Sequence, residues 1–469
     1  MTRQISMTID GAASFGSQFM DVSNPANKNL IGSVPNAGKA ELDAAVCAAR
    51  QAFKTWRDTD WTARQSAVNK IGEIISENST ELIAMLTAEQ GKPIAQAEFE
   101  VLAAAQWCQA TATFKLEDKI IEDTPEKLHF TRYDPIGVVC AISPWNFPFV
   151  LSIFKLAPAL LAGNTVVLKP SPFTPMTVLR LGELVRDILP AGVLNVISGD
   201  DDLGPLMTAH PGFDKISFTG STETGKKVME SAAKDLKRLT LELGGNDAAI
   251  VFSDVDVRQT AEKLFWSAFT NSGQVCIASK RVYIHEDIYD DMRDALVNLV
   301  KGMPMGDGSE DGIALGPVNN ARQHDRVREL IAASESAGDT IIRGGEVDAN
   351  GFFEPLTIID NPPDDRPIVC EEQFGPVLPL LKFTTEDEVI ERANASDTGL
   401  AATVWTKDCD RGLRVAKRLE TGNVWINEGL GLSPFAAFGG RKQSGLGVEN
   451  GIEGLMAYTE PKTISLIRS

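Results

Sequence analysis

The chain reads as an α/β protein made of two doubly wound, parallel-sheet lobes and a small additional β element. Short apolar strands alternate with helical segments between residues 136 and 252, and again in a second block after residue 254. Such alternation implies crossover connections and parallel strand neighbours. Two further stretches, 127–133 and 462–467, alternate like strands but fit neither block. At 469 residues the chain also exceeds what one hydrophobic core usually organises.

Ahead of the first block the pattern is helical. Leu42, Ala45, Val46, Ala49, Phe53 and Trp56 recur at helical spacing over 41–56. Residues 63–90 continue in this way until Gly91, which with Lys92 and Pro93 signals a stop. The alanine-rich stretch 99–114 predicts a third helix. In the first block strands are expected at 136–142, 165–168, 193–198, 216–218, 239–243 and 248–252, with helices at 176–189 and 226–234. In the second, a helix over 261–270 leads to Cys276. Strands follow at 281–285, 356–359, 378–383, 403–406 and 424–427, with helices at 322–337 and 385–394. Residues 429–447 contain six glycines and read as loop. The strands at 127–133 and 462–467 need a partner, because an unpaired strand exposes its backbone donors and acceptors; another subunit is the expected one.

Composition narrows the function. Apolar residues make up 43% and charged residues 23%, which is globular. A net charge of −19 repels phosphate backbones and anionic lipid, arguing against nucleic-acid and membrane-surface partners. Residues 1–10 lack an apolar signal core and no apolar run reaches ~18 residues, so a cytoplasmic location is the expectation. The six cysteines (Cys47, Cys108, Cys140, Cys276, Cys370 and Cys409) are scattered, and the four histidines are not neighbours. No disulfide framework and no metal site is therefore expected. A cysteine–histidine hydrolase stays open, since its partners need only meet in space.

Four segments carry candidate chemistry. Cys276 lies among small residues in 271–281; it is a nucleophile if its surroundings favour the thiolate and an inert buried thiol otherwise. Glu242 ends the apolar stretch 239–243, just before Gly244 and Gly245. It is a general base if burial raises its pKa, and otherwise a solvated strand-end acid. Asn146 is bracketed by Pro144 and Pro148; a rigid amide can donate to a developing oxyanion, though the prolines alone also describe a stiff loop. Gly220 and Gly225 flank a turn between a strand and a helix, whose N-terminal N–H groups suit a pyrophosphate. Their spacing fits an ordinary turn equally well.

The order of these segments is more telling than any one of them. Asn146, Lys169-Pro170, Gly220 and Gly225, Glu242 with Gly244 and Gly245, Cys276, and the run from Glu372 through Phe374 to Val377 together resemble the aldehyde dehydrogenase superfamily. So do the late stretches 423–427, Phe438-Gly439-Gly440 and Ser444-Gly445, and the resemblance runs from Asn24-Pro25 to the C-terminal strand. It implies a Rossmann-like dinucleotide-binding domain over 1–112 and 136–244, a catalytic domain over 245–445, and oligomerisation strands over 113–135 and 456–469.

The implied reaction is NAD(P)-dependent oxidation of an aldehyde to the carboxylic acid. Cys276 would attack the aldehyde to give a thiohemiacetal, with the oxyanion held by Asn146 and the backbone N–H of Cys276. Hydride would pass to the nicotinamide, leaving a thioester that water activated by Glu242 releases. The presence of Glu242 favours hydrolysis over acyl transfer to coenzyme A. The resemblance assigns Trp145, Lys169, Pro172, Gly220, Ser221, Gly225, Glu372 and Phe374 to the cofactor. It assigns Phe147, Leu151, Phe154, Val275, Ile277, Leu432 and Phe438 to the substrate pocket.

One departure stands out. Many NAD-specific members carry a glutamate three residues after the lysine, where it bonds the ribose and repels a 2′-phosphate; here that place is Pro172. The expectation is weakened discrimination, with NAD slightly favoured over NADP. The apolar pocket suits a neutral aliphatic or aromatic aldehyde. A semialdehyde dehydrogenase, such as one acting on succinate semialdehyde, and a cofactor-independent cysteine esterase are the alternatives. The family's oligomerisation strands imply a homodimer or homotetramer.

Overall fold

In the computed structural model, which describes residues 4–468, the first lobe is an eight-stranded sheet. Its centre is five parallel strands in the order Leu194–Val196, Thr165–Lys169, Val138–Ile142, Lys215–Thr219 and Arg238–Glu242. Every residue of Val138–Ile142, Thr165–Lys169 and Lys215–Thr219 is buried; the first is apolar throughout, while the other two also bury Thr165, Lys169, Lys215, Ser217 and Thr219. The chain runs outward from Val138–Ile142 to Leu194–Val196, then returns to its other side with Lys215–Thr219. That reversal opens a crevice at the carboxyl ends of the two strands.

Helix Lys39–Trp56 buries the expected stripe of Leu42, Ala45, Val46, Ala49 and Trp56, with Phe53 half-buried. The 63–90 segment is two helices, Trp61–Glu77 and Ser79–Gln90, broken at Asn78. Helix Pro148–Ala162 is buried on every side, so it carries no amphipathic signature, and periodicity does not reveal it. The first 35 residues contain four short strands, Met7–Ile9, Ala12–Ser14, Phe19–Ser23 and Leu30–Pro35, where the sequence pattern offered none. Part of the glycine-rich 429–447 stretch is also strand: Gly445–Leu446 pairs antiparallel with Leu241 and Glu242. Beyond it Leu455 and Tyr458 are buried in the first lobe's core, so the chain ends where it began.

The second lobe is a seven-stranded sheet: Thr340–Arg343, Thr357–Asp360, Val377–Phe383, Ser279–His285, Asp247–Val251, Ala401–Trp405 and Asn423–Ile426. All neighbours are parallel except the first pair. Strand period divides its core in two: Ala248 and Ile250 belong to one apolar cluster, Ala249 and Val251 to another.

The two strands that fit neither block find each other. Lys127–Pro135 pairs antiparallel with Thr459–Ile467 along its length and with Lys119–Asp123 on its other side. Their pairing is thus satisfied within the chain, and the free edges are the outer ones.

Candidate active site

Glu242 ends the last parallel strand of the first sheet, and after the Gly244-Gly245 link Asp247 begins an interior strand of the second. The first sheet therefore presents carboxyl ends to the junction and the second presents amino ends. Cys276 lies three residues ahead of Ser279–His285, on the same side.

The turn that delivers Cys276 is unusual backbone. Asn271, Ser272 and Gly273 are successively left-handed, with φ of 51°, 56° and 75°. Non-glycine residues avoid this region unless their surroundings impose it. Here they do: the Asn271 side chain donates to the Asn146 carbonyl (3.0 Å), Ser272 to Gly316 (2.6 Å), and the Gln274 amide to Pro317 (3.2 Å). A Cβ at position 273 would lie 2.2 Å from the Gly375 carbonyl, so only glycine fits. Cys276 ends half-buried, whereas Cys108 and Cys140 are sealed in the core.

Asn146 is fixed from several directions. Its amide nitrogen donates to the Gln274 carbonyl at 2.9 Å, and its own carbonyl accepts from Lys92 at 2.8 Å. Lys92 is held by a fully buried ion pair with Glu100 at 2.5 Å. The other Glu100 oxygen accepts the N–H groups of Phe149 and Val150, which open the buried helix. An asparagine amide has two hydrogens, so one remains for a ligand.

Glu242 is buried, and neither of its carboxylate oxygens has a hydrogen-bond partner among the described residues. Burial, reinforced by Glu449 and opposed by Lys155, holds its pKa well above the usual carboxylate range. Lys155 is itself committed to Glu449 and Thr219, both at 2.6 Å. Burial also pushes the Cys276 thiol up to about 12; Lys280 opposes this, while Glu372, Asp247 and Glu242 add to it. The thiol is thus protonated at neutral pH, and a base must take its proton before it can attack.

The crevice has the features of a dinucleotide cradle. Ser221 caps helix Thr222–Ala233, accepting from the Thr224 N–H, and leaves that helix terminus open. A Cβ at Gly225 would lie 2.4 Å from Leu243 and one at Gly244 2.3 Å from Glu372, so both glycines permit close packing around the turn. Lys169, at the end of its strand, is buried with only a 3.4 Å contact to the Pro170 carbonyl. Burial lowers its pKa to about 8, against Asp201 and Asp200. Pro172 is half-buried in the turn that follows. Trp145 and Phe374 meet edge to face at 5.3 Å, and Phe374 takes a left-handed φ of 51° with its carbonyl held by Gln323. Glu372 accepts the Gly245 N–H at 3.1 Å. These residues fit a nicotinamide dinucleotide.

The aldehyde dehydrogenase family model matches residues 12–464. The chain is 42% identical to a probable aldehyde dehydrogenase of a Pseudomonas species, over 98% of this chain and 94% of that protein. It is 39% identical to the glutarate-semialdehyde dehydrogenase of Pseudomonas putida, over 96% and 94%. The chain belongs to the aldehyde dehydrogenase family. Solved structures agree. An NAD+ complex of a Bacillus cereus aldehyde dehydrogenase superposes with a TM-score of 0.97 at 37% identity, covering 100% of this chain and 97% of that one. A Staphylococcus aureus betaine aldehyde dehydrogenase in complex with NAD+ gives 0.96 at 33%, covering 99% and 95%.

In this aldehyde dehydrogenase, Val275, Ile277 and Phe438 form one small apolar cluster, with Phe147, Leu432 and Cys276 packed against it. The other two residues assigned to the pocket, Leu151 and Phe154, are buried in the first lobe's core, where Phe154 stacks on Trp107 at 5.0 Å. The histidines lie elsewhere: His129 on strand Lys127–Pro135, His210 beside Asp43, His285 beside Asp287 and His324 beside Glu354. Sequence reasoning passed over Lys92, Glu100, Lys155, Glu449, Asp247 and Lys280. A charged residue in an apolar stretch was the available signal for Lys155 alone.

Proposed function

We propose that this enzyme oxidises a neutral aliphatic or aromatic aldehyde to its carboxylic acid by covalent catalysis on Cys276, with Glu242 as the base. The observation that carries this reading is the unpartnered, buried Glu242 carboxylate beside a half-buried cysteine and a fixed asparagine amide. A buried acid without partners costs stability, and a proton-transfer role accounts for its retention.

The Cys276 thiol passes its proton to Glu242, which releases it to solvent, and the sulfur forms a bond to the aldehyde carbon. The free Asn146 N–H and the Cys276 backbone N–H receive the oxygen that becomes negative. When bound, the nicotinamide dinucleotide supplies the hydride acceptor. The acyl group stays on Cys276 as a thioester. Glu242 takes a proton from the water that attacks this carbon, the carbon–sulfur bond breaks, and the acid leaves. Trp145, Lys169, Ser221, Glu372 and Phe374 would hold the dinucleotide along the crevice. The C276A variant loses all turnover; E242Q gives at most a single burst of reduced cofactor. Sustained turnover by either variant sinks the assignment.

For the cofactor, NAD is slightly favoured and NADP accepted, because Pro172 can neither bond the ribose nor repel a 2′-phosphate. A ratio of kcat/KM for NAD over NADP above ~1000, worth roughly 4 kcal/mol of selectivity, overturns weak discrimination. For the substrate, the assigned pocket residues Val275, Ile277, Phe438, Phe147 and Leu432 are apolar, and residues 427–438 carry no lysine or arginine for a semialdehyde's distal carboxylate.

A further inference from the structure

Lys280 stands directly after the Cys276 turn and is 3% exposed. Its ammonium donates to the carbonyls of Cys276 (2.6 Å), Val275 (2.9 Å) and Ala278 (3.5 Å), and lies 3.4 Å from a Glu372 oxygen. One buried cation thus touches both the backbone that carries the nucleophile and the carboxylate on the nicotinamide side. The charges of Glu372, Asp247 and Glu242 each disfavour ionisation of the same thiol. The next residue, Arg281, donates to the carbonyls of Asn246, Arg392 and Ala393, and its charge acts on Asp247. Asp247 is buried, with one carboxylate oxygen unpartnered, and begins the strand next to that of Lys280.

We propose that Lys280 is a positioning residue for both halves of the site, stationing Cys276 through its carbonyls and Glu372 through its carboxylate, with Asp247 as the counter-charge that tempers it. This rests on Cys276 being the nucleophile. A fixed positive charge favours the thiolate over the thiol, and a neighbouring carboxylate disfavours it. Without Lys280, three carbonyl oxygens and Glu372 lose a buried partner and the thiol faces carboxylates alone. Without the Asp247 charge, the balance moves the other way. Asp247 is raised to about 7 by burial, with Lys280 opposing, so its charge varies around neutrality.

The test is alkylation of Cys276 by iodoacetamide from neutral to alkaline pH, followed on the full chain by mass spectrometry of the Cys276 peptide. Each unit of thiol pKa changes the thiolate fraction about tenfold at fixed pH. K280M is expected to slow alkylation roughly tenfold or more and K280R by less than about threefold, while D247N accelerates it several-fold. Superposable profiles for wild type and K280M overturn the proposal. Where K280M does not fold, D247N decides, and no acceleration there overturns it equally. The affinity for NAD+ by tryptophan quenching is expected to weaken in K280M; no change refutes the Glu372 half. Alkylation needs neither aldehyde nor cofactor, so its outcome is independent of the burst experiment that tests catalysis.

Discussion

At Asn146 one amide hydrogen is committed to Gln274 and the second is free, which makes the side chain a fixed donor and not a searching one. Removing it leaves the thiol and the base in place but takes away half of the oxyanion's partners. N146A is expected to lose about 100- to 1000-fold in kcat, as single oxyanion donors do elsewhere. A loss under about fivefold rules this role out. As the proposed base, Glu242 is expected to set the pH dependence. Its acid form persists above the ordinary carboxylate range, so the ionised base is lost as pH falls through that raised value. Thioester hydrolysis is expected to rise with pH across that interval in wild type and to be flat in E242Q; stopped-flow acyl release at several pH values checks it. Cys276, Glu242 and Asn146 were legible from motif order as candidates. The ionisation of Glu242 and Cys276 was not, because burial and charged neighbours such as the Glu449–Lys155 pair depend on residues far away in the chain.

Among the elements, helix Met176–Leu184 shows how a distant acid holds a terminus. Glu89, from the end of helix Ser79–Gln90, accepts the Met176 and Thr177 N–H groups and the Thr177 hydroxyl. Burial outweighs these bonds and raises Glu89 to about 7. A carboxyl raised on folding contributes stability fully below its unfolded pKa, and loses it as pH rises through the folded value. The stability of wild type relative to E89Q is therefore expected to fall by about 3 kcal/mol between pH ~4.5 and pH ~8, read from urea midpoints. A constant difference defeats the expectation. Elements with a single apolar face, such as Lys39–Trp56, were legible; helix Pro148–Ala162 was not, because full burial erases the periodicity that marks a helix.

For the whole molecule, the three-stranded sheet of Lys119–Asp123, Lys127–Pro135 and Thr459–Ile467 leaves two edges and the apolar side chains of Ile120, Ile121, Leu466 and Ile467 exposed. Edges of this kind are suited to strand addition by another copy. A dimer or tetramer is expected in solution, with I121K and I467K shifting the mass measured by light scattering toward the 50.7 kDa chain. A wild-type mass of one chain excludes it. Local order in the sequence determined the two alternating blocks, the strand at 127–133 and the sequence of site motifs, since each depends on neighbours a few residues away. Tertiary structure alone decided that Lys127–Pro135 and Thr459–Ile467 pair within the chain. It also decided that Glu242 is stripped of partners, and that Lys280 lies beneath Cys276. Burial and charge balance are set by whatever packs around a group, and here those residues come from both lobes.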